Sequence, residues 1–173
     1  MKKLQFRPNG FTFVVLFIVM FGASLASAQD NDRAGTVGLS AIMQTTQNGV
    51  SVPIWASHSF VIEPLVSLAH VSDAGTDLGF GVLFRGVLRE GDVLPYLGLR
   101  IMGMIFSPEV GDSTTDKVFG PTFGGEYIFA DAVSLRVEFQ ANYTKSDEES
   151  MRFGNPGGSS WNTATAVIAT VYF

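Results

Sequence analysis

One pair of residues, His70 and Ser72, has the types and the spacing that nucleophilic catalysis needs. Alternate residues of a β-strand point to the same face, so a strand would hold the imidazole beside the hydroxyl. The histidine could then act as the base that activates the serine, provided that a third group orients it. No glutamate stands at a suitable spacing in the segment that follows. The sequence therefore favours a polar strand end entering a turn.

Metal and cofactor sites are the next possibility that the residue types raise. The acidic residues of two polar segments are Asp112, Asp116, Asp147, Glu148 and Glu149. Their spacing matches no cation-binding loop. The chain has no cysteine, which excludes a zinc-thiolate site and a disulfide framework. Strand glycines such as Gly79 and Gly81 do not form a phosphate loop, because no helix follows them. We expect no metal and no cofactor.

Three glutamates and three arginines stand in segments where apolar and polar residues alternate. They are Glu63, Arg85, Arg100, Glu126, Arg136 and Glu138. Paired carboxylates can carry acid–base chemistry. Interleaved arginines argue against it, because they hold carboxylates ionised and occupy their lone pairs. We interpret these six residues as a structural layer of ion pairs, provided that the fold brings them to one level.

The first 28 residues have the three parts of a secretory signal peptide. Positive residues open the segment, an apolar core runs from Phe11 to Gly22, and Ala26 to Ala28 form a small-residue cleavage site. The core is too short for a transmembrane helix, which takes about 20 apolar residues. We predict an exported protein with one mature domain at residues 29–173. Loss of three positive charges changes the formal net charge from −5 to −8, which disfavours nucleic acid as a partner.

The mature chain alternates apolar and polar residues with period two, most clearly over residues 133–143. Such alternation indicates strands with one apolar and one polar face. The predicted strands lie at 35–45, 49–57, 60–72, 77–89, 94–107, 117–129, 133–143 and 161–173. Short turns alternate with connections that are longer on average, the longest being Thr144 to Ser160. An even number of strands with this alternation is typical of a bacterial outer-membrane barrel.

Three features indicate that the apolar faces point outward to lipid. Most segments reach the roughly 9–11 residues that cross a bilayer, whereas soluble strands usually have about 5–6. The six charged residues lie roughly five to seven residues from a short turn, which at about 3.3 Å per residue predicts one layer. Glycines recur on the polar faces, where a narrow eight-stranded lumen needs them. They are Gly38, Gly79, Gly81, Gly98, Gly120 and Gly124.

Aromatic residues on the predicted lipid face should form two girdles at the membrane interfaces. Phe60, Phe129 and Phe173 are expected near the periplasmic rim. Phe119, Tyr143 and Trp161 are expected near the outer rim.

The end of the chain resembles the terminal strand of outer-membrane proteins. Its alternate outward positions are Val167, Ala169, Val171 and Phe173, although Thr165 is polar where that group has an apolar residue. The resemblance implies recognition of this strand by the barrel-assembly machinery. Together with the segments 60–64 and 124–127, it makes the chain similar to the small outer-membrane β-barrel domain family, of the OmpA/OmpX and opacity-protein type. The implied fold is an all-β, eight-stranded antiparallel up-and-down transmembrane barrel.

The expected function is that of a monomeric barrel in outer-membrane lipid, with a structural or surface-interaction role. Loops carry function in such scaffolds, and an eight-stranded lumen is narrow enough for side chains to fill. One alternative is a small-solute pore. The other is a lipid-modifying enzyme, because His70 and Ser72 resemble the His-x-Ser pair of the lipid A deacylases. That group places the pair near the C-terminus, whereas here it falls in the third strand.

Overall fold

The computed structural model describes residues 33–44, 48–71, 74–130 and 132–173. The signal peptide lies outside these residues and stays a prediction. The strands are β1 (Gly38–Gln44), β2 (Gly49–Ser51), β3 (Ile54–Ser57), β4 (Phe60–Val71), β5 (Gly75–Val87), β6 (Val93–Pro108), β7 (Thr114–Ala130), β8 (Val133–Lys145) and β9 (Ser159–Tyr172). Within the described ranges, no helix is long and apolar enough to cross a membrane.

The strands form one sheet that closes on itself. Their order is β2-β1-β9-β8-β7-β6-β5-β4-β3, and β2 also pairs with β4. All of these pairings are antiparallel. Since β2 and β3 are two parts of one interrupted strand, the nine segments make the eight-stranded antiparallel barrel that the sequence predicts.

The interruption between β2 and β3 falls at Val52 and Pro53, inside a segment that the sequence predicts as continuous. Proline has no N–H to donate to a ladder, so strand pairing breaks where it occurs. The neighbouring strands still hold this segment, because Val52 N donates to Pro64 O at 2.9 Å and Gly38 N donates to Pro53 O at 2.8 Å. The barrel wall is therefore continuous across the break.

Side chains alternate along each strand between the inside and the outside of the barrel. On β8, Arg136 and Glu138 are buried, whereas Leu135, Val137 and Phe139 are 44%, 40% and 45% exposed. Large apolar side chains thus cover the outer surface, while Arg136 and Glu138 point inward.

The two ends of the barrel differ in their connections. We call the end with the connections 58–59 and 88–92 the turn end, and the end with the connections 109–113 and 146–158 the loop end. An inward apolar cluster lies toward each end. The cluster at the turn end consists of Trp55, Val61, Leu94 and Tyr172, and that at the loop end of Leu65, Leu83, Met102, Met104 and Val118.

Candidate functional site

Four buried charged side chains form a continuous network across the centre of the barrel. The two carboxylate oxygens of Glu63 accept hydrogen bonds from Arg136 at 2.6 and 2.7 Å. Arg85 places its Nε 3.0 Å from Glu63 and its Nη1 2.7 Å from Glu126. None of the four residues is more than 1% exposed. These contacts join β4, β5, β7 and β8 through their side chains.

Hydroxyl groups complete the coordination of the two glutamates. Ser51 donates to Glu63 at 2.6 Å. Ser134 and Tyr172 donate to the same oxygen of Glu126, at 2.6 and 2.5 Å. A buried charge is costly unless its hydrogen bonds are satisfied, so these neutral residues belong to the site. We did not predict a role for these residues from the sequence, although the alternation along each strand places them on the inward face.

Tyr96 lies between the two arginines of the network. Its ring centroid is 5.1 Å from the guanidinium carbon of Arg85 and 5.7 Å from that of Arg136. An aromatic face attracts cations at such distances. The hydroxyl of Tyr96 donates to Glu138 at 2.8 Å. Gly124 leaves room for it, since a Cβ there would lie 2.6 Å from this hydroxyl.

Arg100 and Glu138 lie beside the network and are not ion-paired to it. Arg100 donates to the Oε1 atom of Gln140, and Gln140 Nε2 donates to Glu138 at 2.8 Å. The amide thus bridges the two charges, which form no ion pair within 4.0 Å in the described part of the chain. The register of β5 and β6 explains why Arg85 joins the network and Arg100 does not. Arg100 pairs with Leu83, one inward position nearer the loop end than Arg85.

The connection 146–158 folds back onto the loop end of the barrel. Its Arg152 forms ion pairs with Asp77 of β5 and with Asp116 of β7, the latter at 2.9 Å. Ser150 donates to the same buried Asp116 at 2.8 Å. Phe153 packs against the apolar cluster at the loop end. The connection is therefore attached to inward-facing side chains by charge and by apolar contact.

The surroundings of Arg152 keep its guanidinium charged. Burial lowers its pKa, but the hydrogen bond and the charge of Asp77, followed by those of Asp116, outweigh burial and raise the pKa above its ordinary value. The sequence offered no signal for these contacts, because a loop has no periodicity from which an inward position can be read.

Acidification is expected to weaken a second attachment of this connection, at Asp147. The backbone N–H groups of Thr115 and Glu149 donate to its carboxylate at 3.2 and 3.3 Å. These bonds lower the pKa of the Asp147 carboxyl. Their stabilisation is present above the unfolded pKa of about 3.9 and is lost as the pH falls through the lowered folded pKa.

Amide hydrogen exchange measures this pH dependence. We expect the protection of the Thr115 amide, corrected for intrinsic exchange, to fall as the pH drops from the unfolded value of about 3.9 through the lowered pKa of the folded Asp147 carboxyl. Asp147→Asn should remove the pH dependence. Equal protection of this amide in both proteins at every pH would contradict the prediction.

The pair on which the alternative of a lipid-modifying enzyme depends is only partly described. His70 is exposed at the loop end, and its Nδ1 atom is 3.1 Å from Thr76 Oγ1 on the neighbouring strand. Ser72 lies outside the described residues. In the part of the chain that the structure describes, no cluster of His, Asp and Glu side chains could hold a metal ion.

The predicted assembly signal occupies the outward positions of β9 and the residue after it. Val167 and Phe173 are exposed, while Ala169 is half-buried. Val171 departs from the pattern because it is fully buried; its register partners are Leu39 of β1 and Val133 of β8. Recognition of this strand by the assembly machinery stays a prediction.

A closed eight-stranded sheet, apolar outside and charged inside, defines the fold of the small outer-membrane β-barrels. Two solved structures share it. The N-terminal β-barrel domain of OprF from Pseudomonas aeruginosa is similar over 81% of this chain and 98% of that one, with a TM-score of 0.55 and 12% identity. Neisserial surface protein A (NspA) is similar over 80% and 94%, with a TM-score of 0.51 and 12% identity. No family model and no curated protein matches the chain.

Proposed function

We propose that this protein resides in the bacterial outer membrane as a barrel closed to solutes, with a non-enzymatic structural or surface-interaction role carried by its extracellular loops. The apolar outer surface supports the location. On β6 alone, Leu97, Leu99 and Ile101 are about half exposed. Soluble monomers rarely expose contiguous apolar patches above a few hundred Å², whereas lipid accommodates them.

Outward aromatic residues support the orientation. Phe60, Phe129 and Phe173 are exposed at the turn end. At the loop end, the ring of Tyr143 lies 4.9 Å from that of Phe119 and 5.5 Å from that of Trp161. Aromatic girdles mark both interfaces of such barrels, whose short turns face the periplasm. The turn end is then periplasmic and the loop end extracellular.

The central ion-pair network is the observation that carries the closed lumen. It joins side chains from four strands of a barrel whose interior is narrow enough for side chains to fill. The methionine-containing cluster lies toward the loop end, where Phe153 packs against it and the neighbouring Arg152 is ion-paired to Asp77 and Asp116. A solute would have to displace three successive groups of side chains.

Conductance across a planar bilayer tests the closed lumen. Protein whose insertion has been verified by vesicle flotation is expected to give no steady openings, because the ion-pair network spans the lumen. Regular openings of constant conductance would overturn the proposal in favour of a small-solute pore. Loss of lipid A processing on His70→Ala would instead favour an enzyme.

Release of the extracellular connection should expose it to trypsin. Asp116→Asn removes the buried carboxylate that binds both Arg152 and Ser150. A hydrogen bond to a charged group contributes about 1.5–3 kcal/mol, so the open population should rise about tenfold or more. Since proteolysis follows that population when opening is fast, cleavage after Arg152 should accelerate equally.

Asp112→Asn is the matched control, because Asp112 is an exposed acid in the neighbouring connection. The rate of cleavage after Arg152, measured by mass spectrometry, should be the same in this variant as in the wild type. Equal rates in the two variants would show that Asp116 does not hold the connection.

A further inference from the structure

A cavity of about 340 Å³ opens at the turn end of the barrel. This volume is at the lower end of the range for pockets that hold small ligands. Trp55, Val87 and Leu94 form the apolar part of the cavity. Its ionisable lining residues are Arg33, His58, Glu90 and Asp92. The cavity therefore combines an apolar part with charges of both signs.

The fold holds Arg33 against the indole ring of Trp55. Trp55 N donates to Thr36 O at 2.9 Å, and Gly35 N donates to Trp55 O at 2.8 Å, so residues 33–36 run along β3. Gly35 permits the turn in this segment, because its φ of 84° lies in the left-handed region. The guanidinium carbon of Arg33 is 5.4 Å from the indole centroid, within the range of a cation–π contact. Backbone hydrogen bonds and an aromatic ring thus position the cation at the cavity.

Two hydrogen-bond donors at this cavity have no acceptor in the part of the chain that the structure describes. They are Trp55 Nε1 and Arg33 Nη1. Trp55 is only 1% exposed, and a buried donor without an acceptor is destabilising. The hydroxyl of Tyr172, whose ring contacts that of Trp55, does have an acceptor in Glu126. Since Arg33 is only partly buried, rotation of its side chain can admit an acceptor beside the indole.

Glu90 and Asp92 line the same cavity from the connection 88–92. Both residues are exposed, and the backbone of Asp92 is held by a hydrogen bond from Ile128 N at 3.1 Å. Within the described ranges, neither carboxylate forms an ion pair within 4.0 Å, with Arg33 or with any other base. The cavity thus presents a cation and two carboxylates that are not paired with one another.

We propose that this cavity binds an apolar α-amino acid or dipeptide in its zwitterionic form. The carboxylate of the ligand accepts hydrogen bonds from Arg33 and Trp55, and its ammonium group lies toward Glu90 and Asp92. Its side chain packs against the apolar part of the cavity. A ligand with a single charge would leave the opposite charge of the cavity unpaired, which discriminates against it. The inference goes beyond the proposed function and depends on it only for the periplasmic location of the turn end.

Tryptophan fluorescence of the detergent-solubilised full chain tests the site. The chain has two tryptophans, so Trp161→Phe leaves Trp55 as the only one. L-leucine should change its emission saturably at millimolar concentration. N-acetyl-L-leucine lacks the ammonium group and L-leucinamide lacks the carboxylate, and each should bind about tenfold more weakly or worse, since each loses a charge-assisted contact. Tighter binding of L-leucyl-L-leucine than of L-leucine would identify short peptides as the source of the zwitterion.

Substitutions in the Trp161→Phe background assign the two charges of the ligand. Arg33→Gln should weaken binding of L-leucine about tenfold or more. Arg89→Gln is the matched control, because Arg89 is exposed in the connection 88–92 and does not line the cavity; it should leave binding unchanged. Glu90→Gln/Asp92→Asn should weaken binding of L-leucine and strengthen that of N-acetyl-L-leucine, because repulsion of its carboxylate is removed.

Two results would overturn the proposal. One is the lack of a saturable response of Trp55 to L-leucine and to the dipeptide. The other is equal affinity for L-leucine and N-acetyl-L-leucine, which would indicate a site for anions in general. A heat-dependent gel shift of each variant verifies that it folds. Binding in detergent is measured independently of location, so its failure would leave the proposed function standing.

Discussion

Arg136→Ala is expected to lower the free energy of unfolding by about 3–5 kcal/mol, the cost of breaking a buried ion pair by removing one partner. The substitution deletes both of the short hydrogen bonds that Arg136 donates to Glu63. The carboxylate of Glu63 stays fully buried, with Arg85 and Ser51 as its remaining partners. Urea unfolding from detergent or vesicles measures the loss, because the midpoint should move to lower urea at an unchanged slope.

Two controls separate the ion pair from a general effect of losing an arginine. Arg89→Ala removes an exposed arginine next to a turn and should stay within about 0.5 kcal/mol of the wild type. Arg136→Ala/Glu63→Ala should cost less than the sum of the two single variants, because the partners are coupled. An unchanged midpoint in Arg136→Ala would mean that the network is wet and loosely paired.

Gly120→Ala is expected to cost at least about 3 kcal/mol, the upper part of the range for overpacking. A Cβ at Gly120 would overlap the carbonyl oxygen of Ala141 and would lie 2.9 Å from its carbonyl carbon. Both atoms belong to the backbone of β8, so one strand would have to move away from the other. The fraction of protein that refolds into the compact, unheated gel band should fall sharply.

Gly86→Ala provides the matched control for this substitution. Gly86 also lies inside a strand, but the atom nearest to a Cβ at this position would be 3.9 Å away. Where the backbone accepts alanine, a glycine-to-alanine change is worth about 0.4–1 kcal/mol in favour of the folded state. If both variants refolded equally well, close approach of β7 and β8 at Gly120 would be refuted.

Period-two alternation was sufficient to predict the strands, because each has one face toward the lumen and one toward the outside. The segment predicted at 133–143 is observed as β8, Val133–Lys145. The same alternation predicted that the six charged residues of the proposed layer point inward. It did not give the break at Pro53, since alternation continues through a residue that lacks an N–H.

The contacts between inward residues depend on distances across the barrel, which neighbouring residues in the sequence do not encode. Glu63 and Arg136 are on β4 and β8, 73 residues apart in the chain. From the distance of each residue to the nearest short turn, we predicted that six charges form one layer. Arg100 lies one inward position nearer the loop end than Arg85 and donates to Gln140 instead of a carboxylate. Tyr96 was missed because an inward tyrosine within an apolar segment has no distinguishing pattern.

The measurement that tests the apolar-outward barrel most directly is gel migration of the outer-membrane fraction, with and without heating. Closed membrane barrels keep their structure in detergent until they are boiled. We predict that the protein is found in this fraction and that its unheated band migrates at a different position from the heated one. A protein that is soluble in the periplasm and shows no heat-dependent shift would mean that its apolar faces point inward.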